Sequence, residues 1–175
     1  MTIPDNSAKT ILVIGTGLIG TSIGMGLTAL GERVWLMDAD ADAVEVAVER
    51  GAGKAALPGR LNPAPDLVFV AVPPLKAAEV IREVLTTYVN ATVSDVVSTK
   101  AKLVQEVEES GSDMSRYVPG HPMAGRELSG PGAARADLFA DRIWALTPTV
   151  ETDQDRTAEV ASYLGRLGST VVLTT

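Results

Sequence analysis

The sequence has no cysteine and only one histidine in 175 residues. Disulfides, thiolate nucleophiles and cysteine-ligated metals are thereby excluded, and a metal site built from several histidines is impossible. Basic residues are outnumbered: 15 Lys and Arg stand against 22 Asp and Glu, for a formal net charge of −7. Such a balance argues against a phosphate-neutralising nucleic-acid surface and against an anionic membrane, and leaves a small molecule as the expected partner. Long apolar runs are missing too. The first, ILVIGTGLIG at 11–20, is broken by glycines before a signal peptide or a membrane span can build up. The absence of cysteine fits a cytoplasmic protein. What remains, 46% hydrophobic and 21% charged, describes one globular domain with a sizeable core.

Along the chain, short β-rich apolar runs alternate with amphipathic patterns. Strands are predicted at 10–14, 34–37, 67–72, 92–97, 117–118, 143–146 and 170–173, and helices at 19–30, 41–50, 75–88, 100–110 and 155–167. Several of the strands are near-continuous Val, Ile and Leu, as strands covered on both faces should be. The rhythm predicts an α/β fold of Rossmann type, a doubly wound, mainly parallel sheet with helices on both faces. Gly31 and Gly51 stand where helix C-caps belong. The proline-rich stretch LPGRLNPAPD at 57–66 reads as a surface connection inside one domain.

Gly15, Gly17 and Gly20 form G-x-G-x-x-G between the first strand and the first helix. In that setting Gly15 permits the tight turn, Gly17 lets a pyrophosphate approach the backbone, and Gly20 lets the helix pack closely on its strand. Leu18 and Ile19 complete the expected phosphate-binding turn, at the positive end of a helix. The second strand ends at Asp38, about 20 residues on, where a carboxylate accepts hydrogen bonds from ribose hydroxyls and repels a 2′-phosphate. NAD is therefore the expected cofactor and NADP the less favoured one, with Arg50 and Lys54 downstream as the counter-argument.

The strand DLVFVAVPP brings Val72, Pro73 and Pro74 to the carboxyl-end rim, where the prolines either simply stop the strand or floor a nicotinamide pocket. VSDVVSTKAKL brings Ser98 to the same rim. Ser98 or Thr99 alternatively caps the next helix, although neither has Glu or Gln three residues on. Lys100 opposes the dipole of that helix, which makes it either a solvated lysine or a contact for an anionic substrate or cofactor group. The run RYVPG then delivers His121, in GHPMAGRELSG at 120–130, a stretch whose glycine, proline and polar content speaks against a strand. With an ordinary pKa of about 6.5, an imidazole at such a rim suits removal of an alcohol proton at neutral pH.

Together the glycine motif, Asp38, AVPP, DVVSTKAKL and above all GHPMAGRELSG resemble the amino-terminal domain of the prephenate and arogenate dehydrogenases of tyrosine biosynthesis. The resemblance runs from about residue 10 to the last residue. It implies NAD-dependent oxidative decarboxylation, in which hydride passes to NAD, the ring carboxylate leaves as CO2, and an aromatic ring forms. His121 is then the base on the ring hydroxyl and Ser98 its orienting partner, with Lys100 and Glu127 near the substrate. Arg126 departs from the small residue that some relatives carry. In the family this domain is followed by an all-helical one that forms a homodimer and meets the substrate carboxylates. The 175 residues accordingly read as the nucleotide-binding domain alone, expected to bind NAD but not to turn over. A different Rossmann dehydrogenase of small hydroxyacids, or a nucleotide-binding regulatory module, remains the alternative.

Overall fold

Strand β1 (Thr10–Ile14) lies at the centre of the molecule, and its alternation explains the layers on either side. Ile11 and Val13 enter one core while Leu12 enters the other, all three fully buried. A computed structural model describes residues 8–57, 59, 61–125 and 127–175. After β1 come α1 (Leu18–Ala29), β2 (Arg33–Met37), α2 (Ala41–Glu49), β3 (Lys54–Ala55), β4 (Leu67–Val70), α3 (Pro74–Thr87) and β5 (Thr92–Asp95). The chain continues through α4 (Lys100–Glu109), β6 (Tyr117–Val118), β7 (Gly120–Pro122), β8 (Ile143–Leu146), α5 (Gln154–Arg166) and β9 (Thr170–Leu173).

The main sheet has the order β3-β2-β1-β4-β5-β6, parallel throughout. Its direction of growth reverses at β1, with β2 on one side and β4 on the other, so a crevice opens beyond the carboxyl ends of these strands. Ile23 and Leu27 of α1, Ala47 of α2 and Val160 and Leu164 of α5 fill the core on one face. Ile81 and Leu85 of α3 with Leu103 and Val107 of α4 fill the other. The doubly wound architecture expected from the alternating pattern is thus present. Gly31 and Gly51, with φ of 88° and 80°, follow the ends of α1 and α2 as expected of C-cap glycines.

Some boundaries differ from expectation. The strands predicted at 67–72 and 92–97 end at Val70 and Asp95. After β5, the amide of Val97 bonds back to the Asp95 carboxylate at 2.9 Å, so the chain turns instead of extending. Strand β3 is only two residues long, too short to leave a periodic signal. The expectation that 120–130 contains no strand is corrected for Gly120–Pro122, which belongs to a second sheet of order β7-β8-β9. There β7 runs antiparallel to β8, and as an edge strand it accommodates Pro122, which has no N–H to donate. Trp144 and Leu146 of this sheet enter the first core beside Phe139, whose ring lies 4.9 Å from that of Trp144. On the opposite face buried Arg116 donates to the carbonyls of Leu85, Tyr88 and Ala91, a cation on the carbonyl end of α3.

Candidate active site

The glycine turn is shaped by close approach. Gly15 has φ of +100°, and a Cβ there would lie 2.2 Å from the carbonyl oxygen of Ala71. A Cβ on Gly20 would lie 1.8 Å from the carbonyl oxygen of Gly15, so α1 meets its own strand only through glycine. Above Gly17 nothing stands within 4 Å of such an atom. Helix α1 begins there without a side-chain cap and with no acid in its first turn, leaving its free N–H groups to the cleft. These features fit a pyrophosphate.

The cleft has a volume of about 940 Å³, in the range of cofactor sites. Gly15, Gly17, Leu18 and Ile19 line one side of it, and Asp38, Val72 and Pro73 also reach it. Gly20 packs beneath the lining. Pro74 occupies the first position of α3 and lies outside the lining, the helix-starting role that a residue without N–H fills well. Asp38 also fastens the glycine turn: its Oδ2 accepts from the amide of Thr16 at 2.6 Å and from the Thr16 hydroxyl at 3.1 Å. Its Oδ1 accepts from the amide of Asp40 at 2.9 Å, and Asp40 in turn caps α2. Arg50 is drawn away to the carbonyl of Ala134, and neither it nor Lys54 lines the cleft. Asp40, Glu79 and Glu83 do, together with a lysine, Lys76, whose ammonium pairs with Glu79 at 3.4 Å. Thr16, Gly130 and Pro131 are lining residues that sequence reasoning missed. Gly130 and Pro131 come from the loop after the histidine, and no spacing rule ties that loop to the cleft.

At the rim, the hub is Asp95, fully buried at the end of β5. Its Oδ1 accepts from the Tyr117 hydroxyl at 2.9 Å and from the Gly120 amide at 3.3 Å. Its Oδ2 accepts from the Val97 amide and from the ammonium of Lys100. Lys100 is therefore an ion-paired, largely buried residue and not a solvated one. Burial lowers its pKa, against the pull of Asp95. Burial first, and Asp95 second, raise the pKa of Tyr117 and keep its phenol protonated. Gly120 has to be glycine, because a Cβ would lie 2.9 Å from the Asp95 carbonyl oxygen and 3.0 Å from Nε1 of Trp144.

His121 follows directly, half-buried on β7 opposite Ala145. Burial, then Lys100, lower its pKa from the usual 6.5, with Asp95 acting in the opposite sense. Burial and Lys100 both favour the neutral imidazole. Val96, between Asp95 and Val97, lines the nucleotide cleft, so the histidine strand is anchored one residue from the lining. Ser98 is exposed in the turn between β5 and α4, and Thr99 holds the N-cap position without a capping bond, so neither hydroxyl caps α4. Ser98 makes no hydrogen bond to His121. Glu127 is exposed in the following loop, and Arg126 lies outside the described residues. Among the described residues no cluster of three or more metal-ligating side chains occurs.

Residues 23–173 match the family model for the prephenate dehydrogenase nucleotide-binding domain. The chain belongs to this family. It is 40% identical to a probable prephenate dehydrogenase of Streptomyces niveus over 162 residues, 91% of this chain and 44% of that protein. Synechocystis arogenate dehydrogenase superimposes with a TM-score of 0.86 at 28% identity, over 95% of this chain and 59% of that one. The prephenate dehydrogenase of A. aeolicus in complex with hydroxyphenyl propionate and NAD+ gives a TM-score of 0.86 at 27% identity, over 98% of this chain and 61% of that one. The chain thus spans less than half of the curated relative and about three-fifths of the two solved chains. The family match begins inside α1, so the reading of the glycine turn rests on its own geometry.

Proposed function

We propose that this domain binds NAD and supplies the base for oxidative decarboxylation of prephenate to 4-hydroxyphenylpyruvate, or of arogenate to tyrosine. The observation that carries the reading is His121, whose half-buried imidazole makes no hydrogen bond among the described residues, on a strand tied through Asp95 to the neighbour of cleft-lining Val96, in a chain of this family. The A. aeolicus relative, solved with NAD+ and a hydroxyphenyl compound, supports both the cofactor and the aromatic ligand.

In this reading the N–H groups at the start of α1 hold the pyrophosphate and Asp38 meets the adenosine ribose. Asp38 and its neighbour Asp40 make the ribose position hostile to a 2′-phosphate, which favours NAD over NADP. Val72, Pro73 and Val96 give the far wall an apolar surface. Bound NAD supplies the two-electron acceptor. His121 takes the proton from the ring hydroxyl, and the Ser98 hydroxyl orients that group. Glu127 stands at the entrance. Lys100, engaged by Asp95, keeps ammonium protons for a substrate oxygen. The greater length of the relatives accommodates a further domain that meets the substrate carboxylates and forms the homodimer.

The test is turnover by the full-length gene product with prephenate and with arogenate, each with NAD and with NADP. Reduction of NAD dependent on one of these substrates is expected, with NADP the poorer acceptor. No reduction with either substrate would refute the proposal.

A further inference from the structure

The carboxylate of Asp95 joins two elements that the proposed base depends on. One oxygen accepts from the amide of Gly120, the residue before His121, and from the Tyr117 phenol. The other binds the ammonium of Lys100, delivered by the first turn of α4, and the amide of Val97. A cation in a first helical turn is unfavourable by itself. Here the ion pair with a fully buried carboxylate holds it in place. Two aliphatic or amide groups of similar shape would pack as well, without the desolvation that a buried ion pair demands. The pair therefore has a use beyond stability, and its position beside the histidine strand indicates which.

We propose that Asp95 and Lys100 are positioning residues for His121: one carboxylate fixes both the Lys100 ammonium and the start of the histidine strand, and from there the ammonium acts on the imidazole. Tyr117 completes the cradle by occupying the remaining lone pair of Asp95 with a neutral hydroxyl, leaving the carboxylate oriented toward Lys100 and Gly120. Among the described residues, the charged groups acting on His121 are Lys100 of α4 and Asp95 of β5. Burial and the ammonium favour the neutral ring, and the smaller effect of the carboxylate opposes them without prevailing. The proposal rests on His121 being the base, but the test does not.

His121 is the single histidine of the chain, so its ring Cε1–H resonance titrates unambiguously in the 175-residue protein without cofactor or substrate. In the wild type the midpoint should fall below the roughly 6.5 of a free imidazole. Lys100→Met, which keeps the aliphatic stem, should move it upward, and Lys100→Arg should leave it near the wild-type value. The Lys100 side-chain resonance, assigned by its absence from the Lys100→Met spectrum, should titrate at lower pH in Asp95→Asn than in the wild type. A wild-type midpoint at or above 6.5, or a Lys100→Met midpoint unchanged or lowered, would overturn the proposal. So would a Lys100 titration indifferent to Asp95→Asn. A normal midpoint in a protein whose activity still requires His121 removes this inference alone, whereas full activity of a His121 variant removes the functional reading and leaves the shifted midpoint without a catalytic use.

Discussion

The nucleotide cleft and the histidine rim are neighbours built in opposite ways. The phosphate end of the cleft is a short segment, Gly15 to Ile19, tied by one carboxylate, Asp38, to the end of the second strand, while later elements supply the rest of the lining. The rim is made by residues distant in the chain. Asp95, Lys100, Tyr117 and Gly120 come from two strands of the main sheet, a helix and a strand of the second sheet, and they meet at a single buried charge. A locally built site should bind its ligand whatever happens at the rim, while the rim should control chemistry without controlling binding.

The largest expected effect separates the two. His121→Asn keeps a polar side chain but cannot accept the proton, so kcat in the full-length protein should fall by about 10²–10⁴. NAD affinity should not change, as steady-state kinetics and cofactor titration on the same variant would show. Loss of NAD affinity along with kcat would mean that the two regions are one device.

Gly20→Ala attacks the other side of the comparison. Its methyl group would meet the Gly15 carbonyl, which is backbone and cannot swing aside, so the helix must shift. Overpacking of this kind costs about 1–3 kcal/mol. The melting temperature should drop and NAD binding should be lost, while the Asp95 hub stays intact. Asp38→Ser sharpens the picture of the cleft. Removing charge-assisted hydrogen bonds should weaken NAD by about 1.5–3 kcal/mol. Because Asp38 also holds Thr16 and Asp40, the freed turn should not gain NADP in exchange; calorimetry showing tight NADP binding would indicate that Asp38 acts on the ribose alone.

The smallest effect is thermodynamic. The folded-state pKa of His121 is depressed, so the unfolded chain binds the proton more readily. The stability linked to this residue is present above about pH 6.5 and is lost as pH falls through the lower, folded value. Urea midpoints compared between wild type and His121→Gln should diverge over that window, with the wild type losing more stability on acidification. Parallel curves would leave the histidine with no electrostatic coupling to its surroundings.

The same contrast decides what could be read in advance. The glycine turn, Asp38 and the strand–helix rhythm were legible because one strand–turn–helix–strand unit fixes their spacing along the chain, so residue type and interval carry the geometry. Boundaries slipped where a side chain intervened, as when Asp95 captured the Val97 amide and stopped β5. Gly120–Pro122 resembled a loop because proline is scarce in strands, yet an edge strand in a second sheet tolerates it. Asp95, at the end of an apolar strand, carries no motif of its own. The one trace of it in the sequence was Lys100, whose conflict with the helix dipole calls for a buried anion nearby. Gly130 and Pro131 left no trace, since only the folded chain brings their loop over the cleft.

Titration calorimetry of the 175-residue chain with NAD and with NADP asks whether the cleft works without the chemistry at the rim. NAD should bind, and bind more tightly than NADP, with the same NAD affinity in His121→Asn. Equal or tighter binding of NADP, or no binding of either nucleotide, would contradict that expectation.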